Sequence, residues 1–195
     1  MAARREKLGG DAAVKGTMLQ AHLAWAAERL GPQWQARLQR HLGPDAGAHV
    51  GHDVVLATEW IPLRCIVEID RAIATEIGDP PERVFRELGR NSATLNLGGV
   101  YKAFVQEEPH RFFEQMAVLH GRFLNFGRCV YAPGGPRSGR IRMEDYPEYS
   151  PVFCASASGY YEGALQMMHV PGPIVTNETE CHCAGDGVCI FELRW

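Results

Sequence analysis

Apolar positions recur at helical spacing through most of the chain and give way to short alternating runs only after Gly127. Cys65, Ile66, Ile69, Ile73 and Ile77 mark one face of a helix that starts after Pro62, whose missing N–H is not needed in a first turn. Asp79-Pro80-Pro81 breaks it, and Glu82 restarts a helix to about Leu97 with Val84, Phe85, Leu88 and Ala93 on one stripe. Gly98-Gly99 ends that stripe, and a shorter helix is expected through Val105. Pro109 opens the next, with Phe112, Phe113, Met116, Leu119, His120 and Phe123 as its apolar set. Nearer the N-terminus a short strand over Ala12 to Lys15 leads to Thr17-x-x-Gln20, a capping-box signature for a helix from Met18 to Leu30. Gly31-Pro32 stops it, and a second helix from Gln33 to Leu42 completes a helical hairpin anchored by Trp25 and Trp34. Residues 1–11 read as a loose tail. The turn-rich stretch 43–53, with His49 and His52, reads as an exposed loop.

After Gly127 the runs Arg128 to Tyr131 and Ser138 to Met143, separated by Ala132-Pro133-Gly134-Gly135-Pro136, predict a hairpin. Pro151 then opens a helix carrying Cys154, Gly159, Tyr160 and Gly163 and ending near His169. Gly159 and Gly163 leave one helix face bare, so that a neighbour can pack closely. Ile174-Val175-Thr176 and Val188 to Phe191 predict a C-terminal hairpin around Gly185-Asp186-Gly187. Helices grouped against a small antiparallel sheet make the fold class α+β.

Composition narrows the partners. The 195 residues suit one domain, a single ligand-binding unit in this reading. A formal charge of −3 with 22% charged residues gives no electrostatic reason to expect nucleic acid or an anionic membrane. No run of about eighteen apolar residues is present to span a membrane, and the basic N-terminus lacks the apolar stretch of a signal peptide. A cytoplasmic location follows, and there the six cysteines are thiols or metal ligands rather than a disulfide framework.

The densest chemistry lies in Glu178 to Phe191, with Cys181, Cys183 and Cys189 close together. If Ala184, Gly185 and Asp186 form a three-residue loop, Cys181 sits across from Cys189. Opposed Cβ atoms about 5 Å apart let two thiolates share a zinc ion through bonds of about 2.3 Å. Plain packing and a disulfide are the competing readings of the same thiols. Glu178 is three residues from Cys181 and would face away from it unless the strand is bulged. Cys183 shares the face of Cys181 and is a substitute ligand.

Glu178, Cys181, Gly185, Asp186 and Cys189 together resemble the C-terminal signature of the 4-vinyl reductase domain family, which includes the sensor domains of phenol- and xylene-responsive activators. Cys154-x4-Gly159-Tyr160-x2-Gly163 resembles the helix that delivers a further metal ligand in those sensors. The resemblance implies zinc ligands at Cys154, Glu178, Cys181 and Cys189, a structural site without an open position, and a homodimer formed through helices. The stretch from Leu88-Gly89 through Gly98-Gly99 to Pro109 and Phe112 also resembles an uncharacterised myxobacterial paralogous family, which implies nothing about chemistry.

The expectation is therefore a sensing domain that binds a small apolar or aromatic molecule between helices and sheet. Its lining candidates are Phe112, Met116, His120, Phe123, Tyr131, Tyr160 and Tyr161, with His120 or Tyr160 placed to orient a hydroxyl group. Since the chain ends at Trp195 without an ATPase or DNA-binding module, any signal is expected to pass to a separate partner chain. A tetrapyrrole-related reductase or accessory protein is the enzyme alternative, but no Gly-x-Gly-x-x-Gly, Gly-x-Ser-x-Gly or His-Glu-x-x-His motif accompanies it. A thiol redox relay and a non-catalytic assembly module are further alternatives. Haem-based gas sensing is weighed down by the lack of a Tyr-x-Ser-x-Arg pattern.

Overall fold

A computed structural model describes residues 4–51, 55–99, 102, 105 and 108–195. Its architecture is α+β, as the patterning predicts. In chain order the elements are β1 (Ala13–Lys15), α1 (Gly16–Leu30), α2 (Trp34–Gln39), α3 (Pro44–Ala48), β2 (Trp60–Pro62), α4 (Leu63–Ile77), α5 (Pro81–Gly98), α6 (Pro109–Leu119), β3 (Arg128–Gly135), β4 (Ser138–Glu144), α7 (Pro151–Met167), β5 (Val175–Glu180) and β6 (Cys189–Arg194). β1 pairs antiparallel with β2, and the larger antiparallel sheet has the order β3-β4-β6-β5.

The helices begin and end where backbone chemistry directs. Pro109 and Pro151 each occupy a first turn, preceded by caps: Glu108 accepts from the His110 and Arg111 N–H groups, and Ser150 from Val152 N–H. α4 buries Leu63, Ile66, Val67, Ile69 and Ile73 and stops at Gly78, whose φ of 80° only glycine adopts at little cost.

α5 and α7 cross against each other at the centre. Added Cβ atoms at Gly89 and Gly159 would overlap the carbonyl oxygens of Ser156 and Arg86, and one at Gly163 would press on Ala93 and the Arg90 backbone. The bare face predicted on α7 is thus filled by the α5 backbone. Glu162 of α7 ties the crossing by accepting from Arg86 and from Arg90 Nη2 at 2.6 Å.

Several local expectations are corrected. Gln20 does not cap α1; its side chain donates to the Val55 carbonyl at 2.7 Å, and Lys15 occupies the N-cap. Residues 44–48 form α3, because Pro44 suits a first turn and Ala46 finds burial against the core. Residues 4–8, read as part of a loose tail, lie against the C-terminal half: Arg5 N–H donates to Cys183 O at 2.6 Å and Lys7 pairs with Tyr149. The C-terminal connection is not a three-residue loop. β5 ends at Glu180, a short 3-10 turn covers His182–Ala184, and β6 begins at Cys189. His52, Asp53 and most of the expected helix through Val105 lie outside the described residues. Among the described residues, no helix is long and apolar enough to cross a membrane.

Candidate functional site

A cavity of about 140 Å³ lies where α5, α6 and α7 meet the start of α1 and strands β3 and β4. Phe112, Met116, His120, Phe123, Tyr160 and Tyr161 line it. Tyr131, the remaining lining candidate, is placed elsewhere: its hydroxyl meets His110 Nδ1 at 2.7 Å and its ring stacks on Phe113. The other walls include Leu97, Cys129, Met143 and Phe153, with Thr17, Ser92, Asn96, Gln115 and Ser156 as polar members.

His120 sits on a 3-10 turn that continues α6, and its Nε2 lies 3.2 Å from the Phe126 carbonyl. A carbonyl only accepts, so Nε2 carries the proton and Nδ1 the lone pair. Burial pulls the imidazole pKa below its ordinary value, and the bond to Phe126 opposes this only in part. The ring is consequently held neutral. Burial also pushes the Cys129 thiol up to about 12. Ser92, a residue of the cavity wall, has a buried Oγ with no hydrogen-bond partner among the described residues. Sequence reasoning missed Ser92 and Ser156. Their only signal is the seam of small residues they share with Gly89 and Gly159.

A second cluster lies near the start of α7, at Cys154. The ligand atoms of Cys154, Glu178, Cys181 and Cys189 all fall within 4.8 Å of one another. Cys154 Sγ is 3.8 Å from Cys181 Sγ and 4.0 Å from Cys189 Sγ. Glu178 reaches the thiols because the β5–β6 register shifts between Glu178 and Glu180, a bulge that resolves the parity conflict seen in the sequence. Cys183 is buried beside this group, on the 3-10 turn rather than on a strand. Hydrogen bonds with the thiols of Cys181, Cys183 and Cys189 raise the Cys154 pKa, and bonds with Cys154, Cys183 and Cys189 lower that of Cys181. Burial and the adjacent Cys181 bring the Glu178 carboxyl up to about 7.

No family model and no curated protein sequence matches the chain. Solved structures do match. An H-NOX protein from K. algicida, described as Fe(II) unliganded, aligns with TM-score 0.70 at 7% identity over 92% of this chain and 95% of its own. An S. oneidensis H-NOX protein in the Fe(II)NO ligation state aligns with TM-score 0.68 at 15% identity, over 92% of this chain and 98% of its own. A third, described as probing haem distortion in the H-NOX family, gives 0.65 at 15%, covering 92% and 93%. The chain therefore has the fold of the H-NOX structures.

These neighbours overturn the 4-vinyl reductase resemblance and the reading built on it, a zinc-containing sensor of apolar or aromatic molecules. Zinc as the cofactor falls with it. The resemblance rested on two short motifs around one hairpin, whereas the fold agreement extends over 92% of the chain and places the neighbours' iron chemistry in the comparison instead.

Proposed function

We propose that the chain is a sensor domain that detects a small diatomic gas through a haem held between α5, α6, α7 and the sheet. The observation that carries this reading is the pairing of a neutral imidazole, His120, with an unpartnered buried hydroxyl, Ser92, in the wall of one apolar cavity. The fold shared with H-NOX structures supports it. The reductase and assembly-module alternatives account for that fold no better.

The donor chemistry suits the group. Neutral imidazole is a donor that haem iron would take, and polar groups near the iron would influence which gas is retained. Nδ1 of His120 would supply the lone pair, while the Phe126 carbonyl fixes the ring through Nε2–H. Ser92 would be the cavity-wall hydroxyl able to donate to a bound gas. Phe112, Leu97, Met143 and Phe153 exclude water, and half-buried Thr17, Asn96 and Gln115 provide polar margins. Haem, when bound, would supply the iron to which nitric oxide or oxygen attaches. Its size sets a condition: ligand pockets commonly measure about 300–1,000 Å³, so uptake requires half-buried Met116, Leu119 and Phe123 to yield.

The same proposal places the protein in the cytoplasm, where its six free, buried cysteines stay reduced, as a homodimer that signals to a separate partner chain. Titrating purified protein with hemin tests it. One haem per chain, with a Soret band that shifts on adding nitric oxide and is lost in His120→Ala, is expected. A wild-type protein that develops no such band overturns the reading.

A further inference from the structure

We propose that Tyr146 is the positioning residue of His120: from behind the cavity wall its hydroxyl shares the Nε2–H and so sets how strongly Nδ1 can bind a ligand. The consequence for gas binding rests on the haem reading; the positioning of the imidazole does not.

His120 lines the cavity, whereas Tyr146 is not one of its lining residues. Tyr146 Oη lies 3.4 Å from His120 Nε2, the nitrogen that also meets the Phe126 carbonyl at 3.2 Å. A lone pair on Nε2 would face that carbonyl's own, so the nitrogen carries hydrogen and divides it between two oxygen acceptors. Burial raises the Tyr146 pKa well above its ordinary value, and the phenol therefore accepts as a neutral hydroxyl. Hydrogen bonds at one ring nitrogen fix the tautomer and raise the basicity of the other.

Tyr146 is itself held in place. Its ring meets that of Phe126 edge-on with centroids 5.0 Å apart, so one side chain steadies both the hydroxyl and the segment whose carbonyl serves His120. The ring lies over Gly127, where an added Cβ would overlap it. Gly127 has a φ of 61°, and Asp145, immediately before Tyr146, takes 58°, a value uncommon for a residue with a side chain. Arg128 bridges to Glu144 at 2.6 Å and Asp145 at 3.1 Å. The open end of the β3–β4 hairpin is thus shaped around one tyrosine. Core packing alone uses the ring; the contact with His120 uses the hydroxyl.

Tyr146→Phe separates the two, because it keeps the ring and removes the hydroxyl. The first readout is nitrogen-15 NMR of the histidine side chains in the full chain without hemin. Expected for wild type is a single His120 tautomer with hydrogen on Nε2. In Tyr146→Phe the Nε2 resonance shifts and its proton exchanges faster with water. Gly127→Ala, which displaces the ring with the hydroxyl intact, shifts the same resonance. Tyr131→Phe is the control: it removes the hydroxyl that meets His110, moves the His110 signals and leaves those of His120 in place. The second readout is hemin affinity, expected to fall about tenfold in Tyr146→Phe, with a lowered iron–histidine stretching frequency after reduction. His120 nitrogen signals that are the same in wild type and Tyr146→Phe overturn the assignment to Tyr146. A wild-type chain that takes up no hemin overturns the haem reading instead, and the NMR comparison still decides the role of Tyr146.

Discussion

His22 Nδ1 lies 2.7 Å from Asp70 Oδ1, with both side chains cut off from solvent, and this contact joins α1 to α4 inside an otherwise apolar layer. A buried polar group without its partner costs about 1–3 kcal/mol. Asp70→Ala should therefore lower the melting temperature by roughly 5 °C in a chain of this length. Replacing both residues by leucine removes the orphaned group as well, so the double variant should recover part of the loss. Thermal unfolding followed by circular dichroism distinguishes these outcomes.

Gly159 meets the α5 backbone rather than a side chain that can rotate away. Gly159→Ala forces α5 and α7 apart and should destabilise by at least about 2 kcal/mol. Gly121→Ala is the matched control, since nothing lies within 4 Å of its added carbon. Equal stability of the two variants would contradict the packing described.

Glu76 accepts hydrogen bonds from Arg37 and His41 and faces Arg40, which joins α4 to the region of α2. The bonds from Arg37 and then His41 bring its carboxyl pKa from 4.5 down to about 2. A depressed acid stabilises the fold above its unfolded pKa, and that contribution is lost as pH falls from about 4.5 toward 2. In Glu76→Gln the acid unfolding curve should be flatter across that window, with the wild-type advantage greatest near neutrality. A pH series of denaturation midpoints measures it.

Ala157 lines the cavity from α7. Ala157→Phe should fill the cavity and abolish the hemin-dependent Soret band while leaving a cooperative melting transition in place. Loss of the band together with a collapsed melting transition would instead signal a folding defect.

Much of the helical layer was readable because its apolar residues repeat at the helix period and proline or glycine marks the ends. The α4 and α5 stripes and the starts at Pro109 and Pro151 all rest on such local signals. Cys154, Glu178, Cys181 and Cys189 could be grouped from the sequence through motif spacing. The loop that was to bring Cys181 opposite Cys189 has a different form, because a 3-10 turn over His182–Ala184 and an irregular stretch to Val188 replace the tight hairpin loop. The strand expected over Ala12 to Lys15 is present as β1, but its three-residue partner β2 escaped for a related reason, since every backbone bond between them joins distant parts of the chain.

Sequence alone determined the α+β class, the main helices and the hairpin over β3 and β4, since hydrophobic period and turn residues act within a few positions. Tertiary structure decided the rest. The strand order that puts β6 between β4 and β5, the seating of α7 on α5, the bulge that turns Glu178 toward the thiols, and the docking of Arg4 all depend on contacts between distant segments. The cavity containing His120 and Ser92 arises in the same way. At 7–15% identity to the H-NOX structures, different side chains fill comparable space, so the common architecture is visible in packing and topology rather than in motifs.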